Sequence, residues 1–344
     1  MKFRYLVVIV IALLILTEVF LRAFISQPSS QQYDSELGYT NIPGAKMVES
    51  LEGYSHVTFN QLGFNDAEPQ KELIRKIFII GDSYTEAFQL DVSLGYTSLL
   101  ENALAPSGID IIKLARDSFL PLHYPVVSDR YFDMYEPELT ILQLGSHTLG
   151  GLYGENISIT YSADNEIQSY ALHVSDNDRK KEKFRMIINN SALIYHLMRR
   201  YKPLIVKAMS RFNHLFATKP VRAKGRAINL EMSDEDSKKR LSYILKKLKG
   251  RVVVIYIPDP AVIFNITEHN DNVRNVISSA SKSADRDFID FTDIFTRDFS
   301  INNQFLNGFQ NSKPNGGHLN QYGHQVVAKN LVIELKKAGY LKTL

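Results

Sequence analysis

Short apolar runs alternate with helical stripes along the chain from residue 77 onward. The run Ile-Phe-Ile-Ile at 77–80 predicts a buried strand. Further strands, rich in apolar residues but with polar positions in some of them, are predicted at 109–114, 139–144, 252–257 and 288–290. Apolar residues at helical spacing lie between these runs, at 96–104 and 271–284, and a last stripe at Val327, Leu331 and Leu335 closes the chain. Strands that alternate with helices are typical of a parallel sheet covered on both faces. We therefore predict an α/β fold, a three-layer α/β/α sandwich with a central parallel sheet.

An uncharged run near the start of the chain predicts a membrane segment. Residues 5–17 carry no charge, and counting through Glu18 to residue 25 gives 21 residues, close to the ~20 that cross a bilayer. Lys2 and Arg4 precede the run, which places the short N-terminus in the cytoplasm and the remainder outside. No small-x-small cleavage site follows. We predict an uncleaved signal anchor over residues 1–26 and an extracytoplasmic remainder, periplasmic or at the cell surface.

Two further segments divide the rest of the chain. Residues 27–75 are predicted to be a linker and lead-in segment, because they are rich in glycine and polar residues. The only strand predicted in this segment is 57–59. Residues 76–344 are predicted to form the α/β domain, with an insert at about 151–230.

Charge is concentrated in that insert. Between residues 179 and 226 there are 14 Lys and Arg against one acid, Glu182, so this stretch carries +13 while the whole chain carries only +3. Apolar stripes at helical spacing within it predict amphipathic basic helices, at Leu193, Leu197 and Tyr201 and again at Leu204, Ala208 and Phe212. Such helices fit either a solvated face packed on the main domain or attraction to anionic lipid or an acidic glycan. Nucleic acid fits the charge but not the predicted compartment, so it is not expected as a partner.

Composition excludes some chemistry. The chain has no cysteine, which rules out disulfides, thiolate metal sites and cysteine catalysis. No HExxH, GxGxxG or Walker pattern occurs, and we predict neither a metal site nor a cofactor.

The best candidate for catalysis is the triplet Gly81-Asp82-Ser83 at the end of the first predicted strand of the sheet. In an open α/β sheet, ligands bind at the carboxyl ends of the strands, where the next helix also presents its N-terminal N–H groups. A serine there can be a nucleophile if a base is available, usually a histidine. His318 precedes the closing helix and lies on a loop at the same rim. Asp82 is expected to cap the turn, and His324 is expected to be structural.

These residues resemble the SGNH/GDSL hydrolase family. The stretches GDSYTEAFQLDVSLGYTSLLENAL and GHLNQYGHQVVAKNL look like the family's first and last blocks, and the resemblance runs from about Gly38 to the C-terminus with a poorly matching insert. It implies an SGNH/flavodoxin-like sheet, Ser83 as nucleophile and His318 as base. The lead-in resembles that of membrane-anchored members.

The resemblance also implies oxyanion-hole donors, which stabilise the tetrahedral intermediate. The family uses the nucleophile's own N–H, here Ser83, together with a glycine after the second strand and an asparagine after the third. This chain has no such glycine, so Ala115 or Ser118 is the candidate, and His147 stands where the asparagine is expected.

A further departure concerns the acid that orients the histidine. The family places an aspartate two or three residues before it, but Gly316 and Asn315 occupy those positions. Four alternatives remain open: Asn315 holds the ring, a distant acid reaches it, a Ser-His dyad works alone, or catalysis has lapsed. The distant acids considered are Asp117, Asp259 and Asp290.

The sequence therefore leads to two hypotheses. The first is a membrane-anchored SGNH-type esterase or O-acyltransferase that acts on acyl esters of a cell-envelope glycan or a lipid-linked sugar. The second is a catalytically lapsed scaffold that binds an acidic polysaccharide or a membrane surface.

Overall fold

The computed structural model describes residues 2–24, 30–70, 75–117, 119–154, 157–164, 166–173, 190–198, 201, 233–260 and 269–341. The chain divides into two compact units, one made of residues 1–30 and 176–232 and the other of residues 31–175 and 233–344. Residues 151–175 of the predicted insert thus group with the sheet.

The first unit contains the N-terminal helix α1 (Lys2–Phe24). Its segment from Arg4 to Phe24 is long and apolar enough to cross a membrane, a property that a signal sequence shares. Glu18 interrupts the apolar run, and its carboxylate accepts the backbone N–H groups of Ala192 and Leu193 at 2.8 and 2.9 Å. These are the first residues of a helix at 192–198, so Glu18 caps that helix within this unit. The predicted stripe at Leu204, Ala208 and Phe212 lies outside the described residues.

The second unit contains the sheet and its covering helices. Its strands are β1 (Gln31–Asp34), β2 (Gly38–Asn41), β3 (Lys46–Glu49), β4 (Ser55–Thr58), β5 (Arg75–Gly81), β6 (Ile109–Ala115), β7 (Leu139–Leu144), β8 (Ile157–Tyr161), β9 (Ile167–Leu172), β10 (Val252–Tyr256) and β11 (Asp287–Asp290). Its helices are α2 (Ser83–Glu86), α3 (Tyr96–Leu104), α4 (His123–Tyr135), α5 (Asp234–Lys247), α6 (His269–Ser283), α7 (Thr292–Asn302) and α8 (Gln321–Lys337).

Five parallel strands form the central sheet in the order β11-β10-β7-β5-β6. Counted along the sheet's own strands, this is the flavodoxin-like order 2-1-3-4-5. The predicted fold class is confirmed, and each of the five strands predicted for the sheet is present within one or two residues of its expected bounds.

Both faces of the sheet are buried, which accounts for its continuous apolar runs. Phe78 and Ile80 of β5 face a core shared with α4, α5 and α6. Ile77 and Ile79 point the opposite way, into a core shared with α3, α7 and α8. Alternation along β5 therefore divides the interior into the two cores of a three-layer sandwich.

The lead-in is more structured than predicted. It contains two antiparallel hairpins, β1–β2 and β3–β4, whereas the sequence predicted only a strand at 57–59. Each of these strands has only four residues and none is buried along its whole length, so none produces a sustained apolar run. A third hairpin, β8–β9, occupies the first part of the predicted insert.

Candidate active site

The turn after β5 places Ser83 at the carboxyl end of an interior strand of the sheet. Asp82 is the N-cap of α2, and its Oδ1 accepts the Tyr84 N–H at 2.9 Å, as expected for a residue that fixes the turn. A Cβ on Gly81 would lie 2.3 Å from Thr85 Oγ1, so only glycine fits there. Because β5 lies between β6 and β7, the turn falls at the point where the strand order reverses, the usual ligand site of such sheets.

His318 meets Ser83 at this point. Its Nε2 lies 2.9 Å from Ser83 Oγ, although the two residues are 235 positions apart in the chain. The loop that carries His318 is held by Tyr84, whose hydroxyl donates to the Gly317 carbonyl at 3.0 Å, and by Asn307 Nδ2, which donates to the same oxygen at 3.2 Å. The structure thus brings together the nucleophile and base implied by the resemblance.

The acid beside His318 is Glu52, from the turn between β3 and β4. Glu52 Oε2 lies 2.6 Å from His318 Nδ1, and Oε1 accepts the His318 backbone N–H at 3.0 Å. The carboxylate keeps the proton on Nδ1, which leaves Nε2 free to accept the serine proton.

Of the alternatives for the group that holds the ring, the structure shows an acid from a distant part of the chain, which corrects the role considered for Asn315. Asn315 lines the nearby cavity, but Glu52 takes the Nδ1 position. None of the alternative acids, Asp117, Asp259 and Asp290, forms that bond either. One feature of the sequence is consistent with a close neighbour at this point, namely the glycine directly before His318. Gly317 has φ +69°, and a Cβ there would lie 2.1 Å from Glu52 Oε1.

Electrostatics couple Glu52 and His318 tightly. Burial opposes the charged form of His318, but the hydrogen bond and negative charge of Glu52 outweigh it and raise the pKa of the imidazole. Burial likewise opposes the carboxylate, yet the bonds from His318 outweigh it and lower the pKa of Glu52. The pair therefore favours an ionised carboxylate next to an imidazole that accepts a proton readily.

A cavity of about 580 Å³ opens on the serine and histidine. Besides Ser83 and His318 it is lined by polar groups of both signs, including His147, Asp259 and Lys313. No group of three or more His, Asp and Glu side chains suited to a metal ion occurs in the part of the chain that the structure describes.

The predicted oxyanion donors differ in their position relative to the cavity. The Ser83 N–H has no acceptor among the described residues, and His147 lines the cavity with Ser83. Ala115 is fully buried at the end of β6 and is not among the residues that line the cavity. The next N–H, that of Arg116, is bonded to the Gly81 carbonyl. The prediction for Ala115 is therefore not supported by its position, and Ser118 lies outside the described residues.

A second glutamate, Glu86, is buried at the end of α2 and bonds to the segment that follows β6. It ends α2, is 1% exposed, and its Oε2 accepts the Asp117 N–H, which fixes the segment after β6. Its Oε1 has no hydrogen-bond partner among the described residues, and neither does the buried Nζ of Lys113. Burial raises the pKa of Glu86 to about 8.

His324, the other histidine of the closing segment, is buried in α8. Its Nδ1 accepts the Tyr96 N–H at 3.1 Å, and burial lowers the pKa of the imidazole to about 3. A neutral ring that accepts one backbone bond joins α8 to α3, which agrees with the structural role predicted for it.

Ser83, His318 and Glu52 thus have the arrangement of nucleophile, base and orienting acid used in serine hydrolases. The serine can lose its proton to Nε2 as it attacks a carbonyl carbon, and Glu52 stabilises the imidazolium that results.

No protein-family model matches the chain, and no curated protein is significantly similar to it. Among solved structures it is similar to TesA, at 12% identity and a TM-score of 0.42, over 76% of this chain and 99% of that one. It is similar to the psychrotrophic esterase EstA from Pseudoalteromonas sp., at 12% identity and a TM-score of 0.42, over 78% of this chain and 100% of that one. A member of the lipolytic protein G-D-S-L family from Veillonella parvula is also similar, at 10% identity and a TM-score of 0.42, over 75% of this chain and 97% of that one.

Proposed function

We propose that this chain is an SGNH-type serine hydrolase, an esterase or O-acyltransferase that acts on acyl esters of a cell-envelope glycan or a lipid-linked sugar. The observation that carries the proposal is the continuous hydrogen-bonded series from Ser83 Oγ through His318 to Glu52. It joins three segments distant in sequence, and it opens on a cavity.

The reaction proceeds in two halves. Ser83 Oγ attacks the ester carbonyl carbon while its proton passes to His318 Nε2, and the oxyanion forms next to the Ser83 N–H and the His147 side chain. The bond to the alcohol then breaks, His318 protonates the departing oxygen, and an acyl-serine remains. Water or a sugar hydroxyl attacks the carbonyl carbon of that ester and gives its proton to His318. The bond from this carbon to Ser83 Oγ then breaks, and His318 returns the proton to Oγ. Water gives hydrolysis and a sugar hydroxyl gives transfer.

The location follows from α1. Its length and composition support an anchor, and Lys2 and Arg4 at its start favour an orientation with the remainder of the chain outside the cytoplasm. An extracytoplasmic domain would meet envelope glycans and lipid-linked sugars, which carry the acyl esters proposed as substrate.

Substitution of the nucleophile tests the proposal. Ser83→Ala in the detergent-solubilised chain should lower turnover of p-nitrophenyl acetate by at least about 10³-fold, since the covalent route is lost. Labelling by a fluorophosphonate probe should also disappear, while circular dichroism stays unchanged. Ser98→Ala, which removes a half-buried hydroxyl on α3, is the matched control and should retain both turnover and fluorophosphonate labelling. Equal turnover by wild type and Ser83→Ala would refute the proposal.

A second candidate function is binding without catalysis, to an acidic polysaccharide or a membrane surface. It is favoured by the +13 charge between residues 179 and 226, and every Lys, Arg and Glu of that stretch lies outside the described residues. Salt-sensitive retention on an anionic glycan without fluorophosphonate labelling of Ser83 would favour it over the hydrolase.

A further inference from the structure

A second cavity, of about 540 Å³, lies next to the catalytic one and shares no lining residue with it. We call it the amide cleft. Its lining residues are Gly53, Tyr54, Leu90, Gln304, Gly308, Phe309, Gln310, Asn311, Asn320, Gln321 and Tyr322. None of these side chains carries a formal charge, in contrast to the catalytic cavity with its histidines, Asp259 and Lys313.

The amide cleft has the chemistry that recognises a neutral sugar. Three aromatic rings, Tyr54, Phe309 and Tyr322, offer flat apolar faces on which the C–H face of a pyranose can stack. Amide side chains both donate and accept hydrogen bonds, as sugar hydroxyls do. A pocket that combines apolar surface with a few such polar groups is typical of small-ligand sites.

Some of the amide side chains that line the cleft form hydrogen bonds within the fold, and others do not. Asn311 Oδ1 accepts the Gly53 N–H at 2.7 Å, and Asn320 Oδ1 caps α8 through the Gly323 N–H at 3.0 Å. Gln304, Gln310 and Gln321 form no side-chain hydrogen bond within the described ranges. Asn311 and Asn320 therefore hold the walls of the cleft in place, and the three glutamines remain available to a ligand.

The amide cleft is joined to the proposed active site through the backbone. Gly53 follows Glu52 directly, and Asn320 lies two residues after His318. The Gly308 N–H donates to the His318 carbonyl at 3.0 Å, which closes the loop that lines both cavities. A ligand in the amide cleft is therefore bound by the same two segments that supply the acid and the base.

We propose that the amide cleft is a subsite for an uncharged sugar unit of the glycan whose acyl ester reaches Ser83. This inference rests on the proposed function and specifies its substrate class, a neutral glycan rather than an acidic one. Binding energy from a remote sugar would be expressed as a lower KM for oligosaccharide esters than for small esters.

The test compares two esters in the full-length chain. Tyr54 is 60% exposed, so Tyr54→Ala should fold. This variant should raise KM for O-acetylated cellotetraose about tenfold relative to KM for p-nitrophenyl acetate, because one stacking contact is lost. Phe309→Leu should act in the same direction. Tyr161→Ala is the matched control, since Tyr161 is also an exposed aromatic residue but lies outside the cleft on β8, and it should leave the ratio of KM values unchanged.

Calorimetry with cellotetraose measures the subsite without catalysis. Wild type should bind it, and Tyr54→Ala should bind it about tenfold more weakly. An unchanged affinity in both cleft variants would overturn the inference, as would a preference of wild type for O-acetylated tetragalacturonate over acetylated cellotetraose. Failure of the proposed function would instead appear as absent turnover of p-nitrophenyl acetate by wild type, an outcome independent of the calorimetry.

Discussion

Glu52 and Glu86 are two glutamates whose environments differ sharply. Glu52, in the turn between β3 and β4, bonds to His318 through both of its oxygens. Glu86, at the end of α2, is 1% exposed, with one oxygen bonded to the Asp117 N–H and the other without a partner among the described residues. The pKa of Glu52 is lowered by its bonds to His318 despite burial, whereas burial raises that of Glu86 to about 8.

The comparison shows that depth alone does not decide the charge of a carboxyl group. A carboxylate stays ionised in a partly buried place when donors satisfy its oxygens, and it takes up a proton when they do not. The first state suits an acid that stabilises an imidazolium. The second suits a neutral group that holds a backbone segment in place.

The largest expected effect comes from removing the charge at the rim. Glu52→Gln should lower kcat for p-nitrophenyl acetate by about 10³- to 10⁴-fold, because the tautomer of His318 is no longer fixed and its imidazolium is no longer stabilised. His318 must be neutral to act as base, so activity rises with pH through its pKa. Since Glu52 raises that pKa, the acid limb of the pH–rate profile should move to lower pH in the variant.

Glu52→Asp is the informative companion variant, because it keeps the charge and shortens the side chain. It should retain the position of the acid limb more closely than Glu52→Gln does. Equal kcat values and equal pH profiles in wild type and Glu52→Gln would show that Glu52 does not orient the base.

The next effect concerns Glu86 and the free energy of unfolding. A group whose pKa is raised on folding stabilises the fold fully below its unfolded pKa, and that contribution is lost as pH rises through the folded pKa. Between pH 4.5 and about 8, wild type should therefore lose roughly 3 to 5 kcal/mol relative to Glu86→Gln. Urea denaturation in detergent at pH 5 and pH 8.5 measures the difference.

Glu166→Gln is the control for that experiment, because this side chain is exposed. Its effect on the free energy of unfolding should be small and equal at the two pH values. A constant offset between wild type and Glu86→Gln across this range would mean that Glu86 is ionised in the folded protein.

A smaller effect should follow from displacing Glu52 without changing its chemistry. Gly317→Ala would put a Cβ 2.1 Å from Glu52 Oε1 at a φ of +69°, so the carboxylate must move. We expect kcat to fall about 10²-fold, the cost typical of a misplaced catalytic group. Gly339→Ala shares the positive φ but meets nothing within 4 Å, and it should leave kcat unchanged. Wild-type kcat in Gly317→Ala would indicate that the loop tolerates the shift.

The smallest effect is expected at Tyr84. Tyr84→Phe removes the hydroxyl that donates to the Gly317 carbonyl but keeps the ring, whose centroid lies 5.6 Å from that of His318. One neutral hydrogen bond contributes about 1 kcal/mol, so kcat should fall only about three- to tenfold with no shift of the pH profile. A loss as large as that of Glu52→Gln would give the Tyr84 hydroxyl a direct role in the reaction.

The sheet could be predicted from sequence because both of its faces are buried. The strand at 77–80 is apolar along its whole length and that at 139–144 at four of its six positions, and the stripes of α3 and α8 mark helices that cover the sheet. The hairpins of the lead-in escaped prediction since their short strands are partly exposed and carry polar residues at many positions.

The site was predictable only in part, for a related reason. Ser83 and His318 stand at recognisable places, a strand end and a loop before the last helix. Glu52 stands in a turn with no periodic pattern, and its closeness to His318 depends on contacts across 266 positions. One of those contacts, the Asn311 amide on Gly53, fixes the Glu52 turn against the histidine loop and cannot be read from local sequence.

The position of Glu52 ahead of β5 also decides where the chain can be shortened. A fragment beginning at Arg75 would keep the five-stranded sheet together with Ser83 and His318. It would nevertheless start after the only carboxylate bonded to His318 Nδ1 in the described structure. A shortened chain that lacks α1 should therefore keep the two hairpins, β1–β2 and β3–β4.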